Sequence, residues 1–578
     1  MEIKIPVRFR SLPCLLLATA TLAVYIPYSN AQDALAANRT LKLFFSTYLG
    51  GTEPCFPDGG NSTFAQNAAT DKEGNIYVTG GTEVSDLPVL NAWQPQPASD
   101  SKMSAFLAKY DPSGKPLWCT YLGGNNYSLG LGIAAMPDGG AAVVGVTSSD
   151  ASGSFPTMNA FQAQNNGESD YFVAVFDADG SLLYSTCLGG SGMEGGPGNP
   201  FVDNGSCGNN ITVDSNGLVY VTGVTPSGGG EGAIKFPMTA NAIQPDLNGE
   251  TDAFLCIIDP GATGADSLLY SSFLGGNHGE QGHSVAVNTR GASIVVAGYT
   301  RSTDFPTTSN AYRSQSAPEG YLSNGFVTQF KVSKPGSMSS EYSMRYSTYL
   351  GSEAEDARDD AYGIVMNKAG IIYVTGRTQS AGFPMTGKKV ASIYNSAPYL
   401  QAGSPGSGDE PYLVKINPSR KGAKSLVYST FLGGGSAPDS TNHWGSFCAS
   451  VAIDSKGNAF VGGETSAPGV EYLPSRRATE APNNFPYTAD ALLTAPQGSY
   501  DAILMQIDAR GSTLGYSTYL GGKDSDRSYG LSVDPSGNII ITGLTFSSDF
   551  PVKDAAQSWP GNTGSANAFV AKFSFTLN

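Results

Sequence analysis

Charge is scarce in this chain. Only 14% of its 578 residues are Asp, Glu, Lys or Arg, and the balance is one-sided, with 33 Lys+Arg against 49 Asp+Glu for a net −16. Basic residues do not cluster, and so acidic a surface repels phosphate backbones, so no nucleic-acid partner is expected. Histidine is nearly absent: His278, His283 and His443 are the whole complement. A sustained 3.6-residue apolar period is missing, which excludes a helical protein. No P-loop, dinucleotide fingerprint or Gly-x-Ser-x-Gly elbow occurs in a strand-to-helix context. Glycine, by contrast, is abundant at 72 residues, with 35 prolines, a composition of many tight turns. Hydrophobic residues at 40% supply a large core and argue against disorder.

Long apolar runs are also lacking, with one exception. Leu12 to Ile26 is largely apolar, follows Lys4, Arg8 and Arg10, and precedes the small-residue site Ser29-Asn30-Ala31. That order reads as a signal peptide over 1–31; the run is shorter than the roughly 20 residues a spanning helix needs. Export is therefore expected, to the periplasm, cell surface or medium, with no membrane span after signal removal. Residues 32–42 read as a lead-in and 43–578 as one domain. Cysteine is sparse: Cys14 leaves with the signal, and Cys55, Cys119, Cys187, Cys207, Cys256 and Cys448 remain. An even number in an exported chain permits disulfides, with 15 possible pairings. Buried free thiols are the equal alternative.

The organising feature is a repeat. The phrase Ser46-Thr-Tyr-Leu-Gly-Gly recurs in variants at Leu49, Leu122, Leu188, Leu274, Leu350, Leu432 and Leu520, 66 to 88 residues apart. Such a period is settled first because it fixes architecture. Each period also holds a hairpin around an Asp-x-x-Gly turn, from Ala69–Gly80 to Leu531–Gly543, with copies centred on Gly140, Gly217, Gly291, Gly370 and Gly457. Asp opens such a turn by bonding the backbone ahead, and Gly closes it at positive φ. A third phrase, as in Asp170–Asp177, Asp252–Asp259 and Asp501–Asp508, leads through another turn into the next Tyr-Ser-Thr-Tyr-Leu-Gly-Gly. Four strands in two hairpins per period, seven times, predict an all-β, seven-bladed β-propeller of four-stranded antiparallel blades. The last period ends at Ala568–Phe575 without its final strand, and the chain begins with an orphan copy, Phe44–Gly51. Pairing these two removes an open edge and predicts closure by the N- and C-terminal strands.

Together with Asp304-Phe-Pro306 and Asp549-Phe-Pro551, these phrases resemble the SBBP (seven-bladed β-propeller) repeat family of bacterial exported proteins, and the hairpins are similar to NHL-type units. The resemblance covers residues 43–576. It implies a propeller and an extracytoplasmic setting, and no reaction. Departures are Ser352 in place of a glycine, Asn288 and Asn367 in place of the turn Asp, and an insertion at Glu471–Asn484.

With strands ordered from the inside outwards, both variable connections, the one after each Leu-Gly-Gly and the one through each Phe-Pro, are expected on the face opposite the Asp-x-x-Gly turns. Loops on a rigid scaffold are where function concentrates. His278, Glu280 and His283 resemble a metal-ligand cluster, but the Gly-rich setting offers no helix to align imidazoles, so a surface loop is expected. Glu353, Glu355, Asp356, Asp359 and Asp360, and Asp524 with Asp526, are carboxylate groups able in principle to hold Ca²⁺; a solvated face is the preferred reading. Trp444 and Tyr127 lie where they would stack on sugar rings or pack in a blade. No catalytic, cofactor-binding or metal residue is assigned and no cofactor is expected. The sequence reading is an exported, monomeric, non-enzymatic scaffold binding a protein or polysaccharide partner. Its alternative is a hydrolase or lyase using carboxylates at the mouth of the propeller channel.

Overall fold

The computed structural model describes residues 39–55, 60–99, 101–149, 155–195, 208–230, 232–316, 323–352, 358–380, 382–385, 410–433, 447–466, 469–471 and 485–577. The expected signal peptide, Cys14, Cys207, Glu353, Glu355, Asp356, His443 and Trp444 lie outside them, as does the side chain of Cys448. Leu41–Phe575 is one compact unit; in a second, small unit the Thr576 hydroxyl donates to the Thr40 carbonyl.

The described residues form four-stranded antiparallel sheets, named I to VII by their first strands. After β1 (Arg39–Leu49), sheet I holds β2 (Thr63–Thr70), β3 (Ile76–Thr82), β4 (Ser101–Tyr110) and β5 (Pro116–Leu122). Sheet II holds β6 (Asn126–Ala135), β7 (Ala141–Thr147), β8 (Asp170–Phe176) and β9 (Leu182–Leu188), and a short parallel pairing of β4 with β6 links it to sheet I. Sheet III is β10 (Ile211–Val213), β11 (Val219–Thr225), β12 (Asp252–Ile258) and β13 (Leu268–Leu274). Sheet IV is β14 (Glu280–Val287), β15 (Ser293–Thr300), β16 (Asn324–Ser333) and β17 (Glu341–Leu350). Sheet V is β18 (Asp359–Met366), β19 (Ile372–Thr378), β20 (Glu410–Ile416) and β21 (Leu426–Phe431). Sheet VI is β22 (Phe447–Ile453), β23 (Ala459–Thr465), β26 (Asp501–Ile507) and β27 (Leu514–Leu520). Between its hairpins, β24 (Gly469–Glu471) pairs in parallel with β25 (Phe485–Tyr487), flanking the expected insertion. Sheet VII is β28 (Asp526–Val533), β29 (Ile539–Thr545) and β30 (Asn567–Leu577), and β1 is its fourth strand beside β30. The orphan N-terminal copy thus lies where the sequence placed it, although its strand begins at Arg39, inside the expected lead-in.

The turns form as their residues dictate. Asp71 Oδ1 accepts from the backbone N–H of Glu73 at 3.0 Å and of Asn75 at 2.8 Å, while Gly74 takes φ +84°. Asn367 accepts from Ala369 and Ile371 in the same way, so the amide preserves the turn.

Among the described residues the core is divided into hydrophobic clusters that lie mainly between successive sheets, I–II, II–III, III–IV, IV–V, V–VI, VI–VII and VII–I. Second and third strands bury both faces, as in β3, β7 and β12, because a sheet sandwiched between neighbours has no solvent face.

The connection through Phe-Pro departs from expectation. Its Phe packs on an aromatic ring of the third strand, Phe305 on Phe326 and Phe550 on Phe569 with centroids 4.6 Å apart in both cases. The chain then runs along the outer edge of the fourth strand, bridging Leu90 to Cys119, Met158 to Ser185 and Lys553 to Ser46. It is an edge cover, held by backbone hydrogen bonds, instead of an open loop.

Candidate functional site

Six first strands carry a β-bulge against their second strands among the described residues. The extra residue is Leu131 in β6, His283 in β14, Tyr362 in β18 and Tyr529 in β28. A bulge re-aims a side chain, and here these side chains gather at the inner edges of the sheets. His283, 2% exposed, stacks on Tyr362 at 5.0 Å and meets Tyr299 edge-on at 5.5 Å. Its Nδ1 donates to the Ala361 carbonyl at 2.9 Å, while Nε2 has no hydrogen-bond partner among the described residues. Burial pushes the imidazole down to about 4 against the opposing pull of Asp360, so it is neutral at physiological pH. Tyr362 and Tyr529, from the non-adjacent sheets V and VII, pack together with Leu544. Asn67 of sheet I donates to the Gly208 carbonyl at 3.3 Å, and a Cβ on Gly208 would collide with the His283 and Tyr362 carbonyls. Side chains from sheets I, IV, V and VII thereby meet at this level, with Gly208 packed among them.

Above this plug, at the end where first strands begin and second strands finish, lies a contiguous set of arginines and tyrosines from sheets IV to VII. Asp360 accepts from Arg377 Nε at 3.0 Å, Arg358 Nε at 3.2 Å, the Tyr362 hydroxyl at 3.2 Å and the Ser323 hydroxyl at 2.6 Å. Burial alone would raise its pKa, but the two guanidiniums hold it at about 2. Arg377 lies over the Tyr362 ring at 5.6 Å and Arg301 over Tyr299 at 5.9 Å. Arg527 pairs with Glu464 at 3.2 Å and lies 5.5 Å from the centre of the Tyr500 ring. Burial raises Glu464 to about 7 in spite of Arg527. Arg358 is exposed and Arg377 and Arg527 partly so, whereas their carboxylate partners are buried. The set presents fixed N–H donors and aromatic faces, which suits recognition.

The carboxylates suited to acid–base chemistry lie elsewhere. Under three Leu-Gly-Gly turns, an acid opening one sheet's third strand faces a second acid further along the chain, Asp170 and Glu194, Asp252 and Glu280, Asp501 and Asp526, the second being the first residue of the next sheet in the latter two pairs. Glu280 accepts from Gly276 N at 2.8 Å and from the Thr300 and Ser302 hydroxyls at 2.5 Å, and Asp252 from Gln244 Nε2 at 2.7 Å. Burial, with Glu280 facing it, pushes Asp252 to about 8; burial likewise raises Asp501 to about 7, and Asp170 and Glu194 rise for the same reason. The first glycine of the phrase has no alternative, since a Cβ on Gly275 would overlap both Asp252 and Glu280. All six acids are buried. Their oxygens accept hydrogen bonds from the turn backbone and from neighbouring hydroxyls.

The sequence candidates scatter accordingly. His278 is exposed, Glu280 is buried beneath its turn and His283 fills a bulge, so the three do not converge. Adjacent in β18, Asp359 and Asp360 point to different partners, Asp359 to Ser352 N at 2.7 Å and Asp360 to the arginines. Asp526 is buried with Asp501, while Asp524 is exposed. Tyr127 is partly buried, with the Lys102 ammonium 5.4 Å from its ring centre. Among the described residues no group of three or more His, Cys, Asp or Glu is arranged to hold a metal. Cys55, Cys119, Cys187 and Cys256 are free thiols, and burial pushes all four up to about 12. Tyr299, Arg377 and Glu464 were missed by sequence reasoning. Their signal was available, because they occupy the one varying position in the otherwise constant Gly-x-Thr that ends each second strand, as in Gly376-Arg-Thr378.

The described residues thus form an all-β fold of antiparallel four-stranded sheets built on this phrase. The family model of the SBBP beta-propeller repeat matches residues 45–88 and 515–551. Each match starts in a fourth strand and ends near the Phe-Pro position of the next sheet, so the repeat unit straddles two sheets. No curated protein matches the chain. Among solved structures, hydrazine synthase of Kuenenia stuttgartiensis is 10% identical, with 84% of this chain and 94% of that one covered at a TM-score of 0.38. A protein of unknown function from Dyadobacter fermentans is 9% identical, with 93% and 99% covered at 0.38. An acylaminoacyl peptidase of Pyrococcus horikoshii is 9% identical, with 85% and 50% covered at 0.36. Among the described residues no helix is long and apolar enough to cross a membrane.

Proposed function

We propose that this chain is an exported, monomeric, seven-bladed β-propeller, closed by β1, whose Leu-Gly-Gly end binds a protein or polysaccharide partner without catalysing a reaction. Closure is supported by the cluster in which β1 and sheet VII pack against sheet I. Export rests on the composition of residues 1–31. Binding rests on one observation, the contiguous arginine–tyrosine set over sheets IV to VII. Arg377 is held between Asp360 and Tyr362, and Arg527 between Glu464 and Tyr500. A guanidinium already fixed in place loses little entropy when it meets a ligand, and Arg and Tyr are the residue types that carry most interface energy.

The test is a screen of the chain from residue 32 against glycans and secreted proteins, repeated with Arg301→Ala. Arg301 is exposed, so the variant is expected to keep its melting temperature while affinity falls about tenfold or more. A partner bound equally well by the variant refutes this site. Turnover of a screened glycan would replace the binding reading with an enzymatic one.

A further inference from the structure

At the opposite end of the sheets, three of the sheet-to-sheet junctions carry one polar device, built on Lys109, Lys415 and Lys572. In β4, Lys109 pairs across the strand with Tyr77. Its ammonium donates to the Gly139 carbonyl at 2.9 Å and to the Ala178 carbonyl at 3.0 Å, both on turns of sheet II. The Tyr77 hydroxyl donates to the same Gly139 carbonyl at 2.5 Å, and its ring centre lies 5.2 Å from the ammonium. Between sheets V and VI the arrangement recurs. Lys415 opposes Tyr373 and donates to the Ala509 carbonyl at 2.7 Å, and the Tyr373 hydroxyl donates to the Gly457 carbonyl at 3.1 Å. Between sheets VII and I, Lys572 donates to the Pro112 carbonyl at 3.0 Å.

Between sheets II and III both side chains are lost. The position of Lys109 is Val175 and that of Tyr77 is Ala142, paired with each other in the same register. Their place is an open cleft of about 330 Å³, lined among others by Met136, Val175, Leu183, Gly217, Asp259 and Pro260. Gly217 corresponds to Gly139, each being the left-handed glycine of its turn at φ +83° and +92°, and Pro260 corresponds to Ala178. Neither the Gly217 nor the Pro260 carbonyl accepts a hydrogen bond from a described residue. Asp138 and Asp259 add two carboxylates to the lining.

We propose that this cleft is a binding site for a lysine side chain of a protein partner, which supplies from outside the ammonium that Lys109, Lys415 and Lys572 supply from within. Met136, Val175 and Leu183 would cover the aliphatic stem, as apolar surface does for lysine stems generally. The two turn carbonyls and the flanking carboxylates receive the charged head through charge-assisted hydrogen bonds. The net charge of −16 draws a cationic partner to the surface.

The experiment follows methyl resonances of ¹³C-methionine-labelled protein during titration with Nα-acetyl-lysine methylamide and, separately, its Nε-acetylated form. A saturable shift of the Met136 methyl is expected with the amine, and at least about tenfold weaker binding with the acetylated probe. Val175→Lys is expected to raise the melting temperature and abolish the shift, since the new side chain occupies the site. Should that variant not fold, Asp138→Asn, at an exposed position, is expected to weaken binding several-fold. No response to the amine, an equal response to both probes, or full binding by Val175→Lys overturns the proposal. So does an identical shift produced by Ca²⁺ alone, which would make the cleft a metal site.

Discussion

Lys572 is buried, and its ammonium lies 3.1 Å from Asp534 Oδ2, a carboxylate equally withdrawn from water. Removing the lysine leaves the buried Asp534 carboxylate with its turn donors Ser536 N, Asn538 N and Asn538 Nδ2 but without its counter-charge. Lys572→Met is therefore expected to destabilise the fold by about 3 kcal/mol, read as a fall in melting temperature. The equally long but exposed Lys72 pairs with Glu73 at 3.8 Å on the surface, and Lys72→Met is expected to change little. Residue-scale chemistry was the least legible part of the sequence. The Asp-x-x-Gly turns were read correctly because their cause is local, a carboxylate reaching its own backbone. The destinations of Asp359 and Asp360 depend on sheet neighbours remote in sequence, and strand alternation alone separates two adjacent acids that composition groups together.

The facing carboxylates at the Leu-Gly-Gly junctions act at the scale of the element, because each joins the third strand of one sheet to the next sheet. Asp252, raised to about 8, and Asp501, raised to about 7, hold a proton more tightly in the folded than in the unfolded chain. Their stabilising contribution is complete below the unfolded value of 3.8 and is lost as pH rises towards 7 to 8. Asp360, depressed to about 2, acts in the opposite sense, and its contribution is lost as pH falls below about 4. The melting temperature is thus expected to peak in mild acid and to fall between about pH 5 and 8.5. Asp252→Asn is expected to flatten that alkaline decline, and an unchanged slope would assign the decline to general charge repulsion. The Phe-Pro connections carry the lesson about legibility at this scale. Their length variation reads as loop, yet variable segments can still be fastened to an edge by backbone hydrogen bonds, which leave no side-chain signature.

For the whole molecule, far-ultraviolet circular dichroism is expected to report β-structure with very little helix; the described residues contain only the short 3₁₀ turns Gly264–Ser267 and Gly422–Ser425. Deleting residues 32–51 is expected to lower the melting temperature markedly, since β30 would lose its hydrogen-bonded neighbour and expose an edge. The four-strand unit and its N-terminal offset were legible because a repeated phrase records its own boundaries. The binding reading was not, because the arginines and tyrosines that carry it are the residues that differ from copy to copy. That offset has a temporal consequence. A ribosome adding roughly 5–20 residues per second needs about half a minute to two minutes to travel from β1 to its partner β30. Throughout that interval Leu41–Leu49 can pack on sheet I through Phe45 and Leu49 but has no strand to hydrogen-bond with, so the edge made first is among the last to be paired, and a holding factor that shields it would be needed most while synthesis is still under way.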